Sequence, residues 1–149
     1  MSRIWIAVGA ALFVVALVGS ALVVPELRPL HALQALIYVA VVVLARRDSP
    51  WGLGAGTTVA VAWNALNVLI THLAQQGVAA VWALLSTGKA DRIDTMMVAL
   101  GTLAHFALIA GCLAAMREVS ARRRWWKFAG GGAIALAYFA LIIAVAAPR

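Results

Sequence analysis

The chain has 149 residues, 65% of them hydrophobic and only 11% charged, with a mean hydropathy of +0.99; a water-soluble domain carries about 25% charged residues. That balance excludes a soluble globular domain and, with no long polar stretch, an extramembrane catalytic domain, so a single all-α domain of membrane-spanning helices is expected. The net charge of +7 would suggest nucleic acid in a soluble protein, but its distribution along the chain points to membrane topology instead.

Taken in order, the apolar segments predict helices at about 4–24, 29–45, 53–75, 95–116 and 128–147. A helix needs about 20 apolar residues to cross the hydrocarbon core. The first follows "MSR", a start typical of a secretion signal, but its apolar run of about 21 residues exceeds the usual 7–15 of a signal core, so a retained helix is expected. The second is short and extends through Pro29, since proline is tolerated in the first turn. Ser49-Pro50 reads as a cap followed by a first-turn proline ahead of the third helix.

Beyond the third helix, 78–86 ("VAAVWALLS") is apolar but too short to cross, and is expected to lie in the membrane interface with Trp82 as an anchor. Asp91 and Asp94 precede the fourth helix as caps. The loop "REVSARRRWWK" between the fourth and fifth helices mixes basic and aromatic residues, which reads as a cytoplasmic retention signal attracted to anionic lipid, not as a nucleic-acid site.

Lys and Arg near the helix ends set the orientation. With the N-terminus inside, the cytoplasmic side holds Arg3, Arg46, Arg47, Arg117, Arg122, Arg123, Arg124 and Lys127, against Arg28, Lys89, Arg92 and Arg149 outside. The N-terminus is therefore expected in the cytoplasm and the C-terminus outside, as in a multi-pass protein of a bacterial cytoplasmic membrane.

The third helix carries an unusual number of polar residues. At 100° per residue, Thr57, Asn64, Asn67, Thr71 and Gln75 share an arc of about 80°, with His72 at its edge. On the second, His31, Gln34 and Tyr38 share one face; on the fourth, Thr95, Thr102, His105 and Cys112 fall within about 100°. The first and last helices offer small residues instead (Gly19, Ser20 and Gly130 to Gly132 among them), Tyr138 excepted. At 1.5 Å rise per residue the stripes overlap in the outer half of the membrane, with His105 roughly 10–15 Å deep. A polar recess opening outward is expected, lined by Gln34, Tyr38, Asn64, Asn67, Thr71, His72, Thr102 and His105. The competing explanation is interhelical hydrogen bonding, worth about 0.6 kcal/mol per contact.

No acidic or basic side chain lies inside a predicted span. This argues against proton-coupled transport on a membrane carboxylate, a voltage sensor, and a buried acidic metal–diphosphate site, so no metal is expected. The lone Cys112 permits no intramolecular disulfide or cysteine cluster and reads as a small core residue. An intramembrane histidine marks a functional site by default, which singles out His105.

The function expected from these residues is binding of a lipophilic small molecule, a quinone, isoprenoid or lipid, whose oxygen meets a His, Tyr or Asn donor in an apolar slot. An integral membrane enzyme (isomerase, cyclase or oxidoreductase) is the alternative, with His105, His31 or Tyr38 and a rim carboxylate, Glu26, Asp91 or Asp94, as acid–base groups. A b-type haem held by His31 or His72 with His105 is the cofactor alternative to a quinone. A structural subunit, homo- or hetero-oligomeric, whose stripes face a partner is a third reading.

Overall fold

A computed structural model describes residues 1–119 and 124–146. Arg122, Arg123, Arg149 and the end of the last expected helix, at 147, lie outside the described residues. The helices are α1 (Ser2–Val23), α2 (Arg28–Arg46), α3 (Pro50–Ala65), α4 (Leu73–Thr87), α5 (Ile93–Glu118) and α6 (Arg124–Ala146), and no strand occurs among the described residues. Five stretches are long and apolar enough to cross a membrane: Ser2–Val23, Pro25–Arg46, Pro50–Ile70, Ile93–Glu118 and Arg124–Val145. With 15 residues, α4 rises only about 22 Å, short of the ~30 Å hydrocarbon core.

Local chemistry sets the boundaries. A single 3₁₀ turn, Pro25–Leu27, joins α1 to α2, and proline stands in the first turn of both that piece and α2. Ser49 is extended and precedes Pro50, the first residue of α3, although its hydroxyl makes no cap bond. Gly88 ends α4 with a φ of +72°, a conformation glycine adopts without steric cost.

The third span departs from expectation. Its α-helix stops at Ala65, widens into a π-turn over Leu66–Ile70, and ends there instead of running to residue 75. The Thr71 N–H donates to the Leu66 carbonyl five residues back. His72 then adopts a left-handed backbone (φ 57°), which redirects the chain into α4. The stretch expected at 78–86 is thus the body of a longer helix, and Gln75 leaves the polar stripe. Its amide instead donates to the Val68 carbonyl at 2.8 Å, tying the start of α4 to the turn before it.

Two helix pairs dominate the packing, α1 along α5 and α3 along α6, while α2 rests on α1 and α3, and α4 on α5. Small residues permit the closest approaches. A Cβ on Gly54 would collide with the Phe128 backbone, and one on Gly131 with the Trp51 carbonyl. In lipid, where apolar side chains gain nothing by leaving the solvent, such close backbone contact is the main source of helix association.

The core holds Ile6, Phe13, Leu17, Tyr38, Val41, Leu53, Val59, Trp63, Leu108 and Cys112. The perimeter is as apolar as the interior, with Trp5, Val15, Leu22, Val39, Leu103, Phe106, Ile134 and Leu141 all exposed. Such a surface suits a bilayer and is compatible with a multi-pass membrane protein. At the end of the bundle bearing the N-terminus, Arg3 pairs with Asp48, and the Ser2 hydroxyl donates to the Glu118 carboxylate at 3.1 Å.

Candidate functional site: a recess at one end of the bundle

The recess forms where the end of α1, the start of α2, the π-turn, the start of α5 and the end of α6 meet. The cavity measures about 630 Å³, within the range of about 300–1,000 Å³ usual for small-molecule sites. Phe13, Ala16, Leu17 and Ser20 of α1 form one wall, and Leu30, His31 and Gln34 of α2 the next. Trp63, Leu66, Asn67 and Thr71 close a third side, with Met97 and Val98 of α5 and Phe139 and Ile143 of α6 beyond them.

Its polar atoms are few, and most are held in place. His31 Nδ1 lies 3.1 Å from the Leu17 carbonyl oxygen. A carbonyl only accepts, so Nδ1 carries the proton and Nε2 of the neutral ring keeps its lone pair. Asn67 donates through Nδ2 to the Trp63 carbonyl at 3.0 Å, one turn back on its own helix. Thr71 donates through its hydroxyl to the Leu66 carbonyl at 3.3 Å. Gln34 is 6% exposed, and its Oε1 is buried without a hydrogen-bond partner among the described residues. An unpaired buried amide oxygen costs about 1–3 kcal/mol.

Phe13 and Trp63 form the floor, their rings edge to face with centroids 5.2 Å apart. Directly beneath is His105, fully buried, with ring centroids 4.1 Å from Phe13 and 4.8 Å from Trp63. Its Nε2 lies 2.6 Å from the Tyr38 hydroxyl. Nδ1 has no partner. The pair shares one proton; the other sits on Nδ1 if tyrosine donates, or on the tyrosine oxygen if histidine donates. The pair joins α2 to α5 and does not line the recess.

The expected site therefore divides. Gln34, Asn67, Thr71 and His31 come together around the cavity, while Tyr38 and His105 lie under its floor. Asn64 is buried elsewhere, with neither amide atom hydrogen-bonded among the described residues. Thr102 donates to the Val98 carbonyl of its own helix at 2.9 Å, as Thr57 does to Leu53, and neither lines the recess. His72 is exposed at the helix break. Of the rim carboxylates, Glu26 and Asp91 are exposed, and Asp94 sits 3.5 Å from Arg92; none lines the recess.

The bis-histidine pairing considered for a haem does not form. His105 is committed to Tyr38, the aromatic floor separates it from His31, and His72 stands outside the cavity. No group of three or more His, Cys, Asp or Glu side chains suited to a metal occurs among the described residues.

Residues of α1 were missed at sequence level, because Phe13, Ala16 and Leu17 carry no polar signal. The only available cue was their i, i+3, i+4 spacing, common to every buried helix face. A second hollow, about 340 Å³ between α2, α3 and α6, is apolar apart from Trp51 and Tyr138, and the Tyr138 hydroxyl is spent on the Leu33 carbonyl at 3.0 Å. That groove offers shape without recognition. No protein-family model, curated protein or solved structure matches this chain.

Proposed function

We propose that this chain is a multi-pass membrane protein that binds a lipophilic small molecule, a quinone, isoprenoid or lipid, in the recess between α1, α2, α5 and α6. The N-terminus lies on the cytoplasmic side and the recess opens toward the opposite face, in keeping with the excess of Lys and Arg at the other end of the bundle. A bacterial cytoplasmic membrane is the proposed setting.

One observation carries this reading: Gln34, nine-tenths buried on the wall of a roughly 630 Å³ cavity, keeps an amide oxygen without a partner among the described residues. Buried polar atoms are satisfied in the great majority of cases, and each exception calls for an explanation; Gln34, unlike Asn64, has a cavity beside it. A ligand head group supplies that explanation. The apolar remainder of the walls suits a hydrocarbon tail. Catalysis is less well supported, because the pair best suited to acid–base work, Tyr38 and His105, lies under the floor, and no carboxylate reaches the cavity.

The test is organic extraction of the purified protein followed by mass spectrometry, compared with Ser20→Phe, which places a ring in the recess from a half-buried wall position. The wild type should carry a lipophilic molecule enriched over bulk lipid, and the variant should lose it. An extract indistinguishable from bulk lipid, or the same enrichment in Ser20→Phe, would overturn the proposal.

A further inference from the structure

We infer that the recess selects molecules whose polar head donates a hydrogen bond, a long-chain alcohol or phenol in preference to the corresponding aldehyde, ketone or quinone. The inference rests on the binding reading above and narrows its ligand class.

The wall chemistry is uneven because backbone carbonyls have already claimed the single protons of His31 and Thr71. At His31, donation to the Leu17 carbonyl consumes the ring proton and leaves Nε2 as an acceptor. At Asn67 the bond to the Trp63 carbonyl uses one of the two amide N–H donors and identifies the nitrogen, so the other terminal atom is an oxygen without a hydrogen bond among the described residues. The Thr71 hydroxyl proton goes to the Leu66 carbonyl, leaving lone pairs of which one receives the Leu73 N–H at 3.5 Å.

His31 and Thr71 therefore offer only lone pairs, and the oxygens of Asn67 and Gln34 add two acceptors without a partner among the described residues. Against them, Trp63 is the single pure donor side chain on the wall among the described residues, while Gln34, Asn67 and Ser20 can serve either way. A hydroxyl head matches this set: it gives its proton to the His31 or Asn67 acceptor and receives one from Gln34 or Trp63. A carbonyl head faces those acceptors with a lone pair of its own and leaves them unpaired. Among the described residues no Asp, Glu, Lys or Arg lines the cavity, in keeping with an uncharged head. A site built to meet a hydroxyl discriminates strongly against an analogue lacking it, because the site's own polar atoms lose their partner.

The test is equilibrium binding of radiolabelled farnesol, farnesal and farnesene to the full-length protein in detergent. The three share one tail and differ only in the head. Farnesol is expected to bind at least about tenfold more tightly than farnesal, with farnesene weaker or equal to farnesal. Asn67→Leu should narrow the preference for farnesol over farnesal, and adding His31→Phe should abolish it. His31→Phe, at a half-buried position, makes the same measurement if Asn67→Leu does not yield folded protein.

Equal binding of all three probes by the wild type, abolished by Ser20→Phe, would overturn the donor-head inference while leaving the binding function in place. Equal affinities for the alcohol and aldehyde with retained preference in neither His31→Phe nor wild type has the same meaning. Absence of saturable binding for every probe, together with no enriched lipid in the extract, would overturn both.

Discussion

Asn64 is 8% exposed, yet neither its amide nitrogen nor its oxygen has a partner among the described residues. Removing both halves of an unsatisfied buried amide with an apolar residue of similar size abolishes the desolvation penalty and loses no bond. Asn64→Leu should therefore stabilise the protein by about 1 kcal/mol, read as a shift in reversible unfolding in mixed micelles; destabilisation by a comparable amount would mean the amide has a partner in the membrane. Tyr38→Phe runs the other way. It deletes the 2.6 Å bond to His105 and leaves that ring wholly unpaired, so a loss of about 1 kcal/mol is expected, within the span measured between membrane helices. Lipid retention should be unaffected, because the pair lies beneath the Phe13–Trp63 floor. Loss of ligand without loss of stability would return Tyr38 to the site.

At the scale of the element, the break at His72 decides the shape of the recess. A regular α-helix to residue 75 would keep Asn67, Thr71 and Gln75 in one line. The π-turn and the left-handed His72 instead bring Thr71 and Leu73 to the cavity wall and send Gln75 away from it. A left-handed conformation costs a β-carbon residue roughly 1–2 kcal/mol, most for β-branched side chains. His72→Val should lower stability by about 1 kcal/mol or more and weaken ligand retention, whereas His72→Gly should hold or raise stability. If valine is tolerated without change in either property, the break is not a strained feature of the fold. The break had no clear signature in sequence. Neither proline nor glycine stands at residues 66–72, and the polar periodicity continues through Gln75, so the helical pattern hides the turn.

At the scale of the whole molecule, the ring of exposed apolar residues and the five long helices make a body suited to lipid on its sides. Charge then distinguishes the two ends. A single cysteine at Thr87 and another at Arg47, each exposed and each in a Cys112→Ala background, report orientation through a membrane-impermeant maleimide applied to intact cells. Thr87→Cys should label from outside and Arg47→Cys only after permeabilisation. The opposite pattern would invert the proposed topology and place the mouth of the recess in the cytoplasm.

How much could be read from the chain differs with the range of the forces involved. The number of long helices, their approximate spans and the proline starts follow from hydropathy and local backbone chemistry, which act within a few residues and are written directly in composition and order. The polar faces of α2 and the third span were legible for the same reason. Whether two such faces meet depends on helix rotation and separation, set by contacts such as Gly54 on Phe128 and Gly131 on Trp51 that join residues far apart in the chain. Only tertiary packing could put His105 under an aromatic floor, commit it to Tyr38, and leave Gln34, His31, Asn67 and Thr71 around open space. A periodic pattern states which side of a helix is polar, and the neighbouring helices determine whether that side encounters a bond, a wall or a cavity.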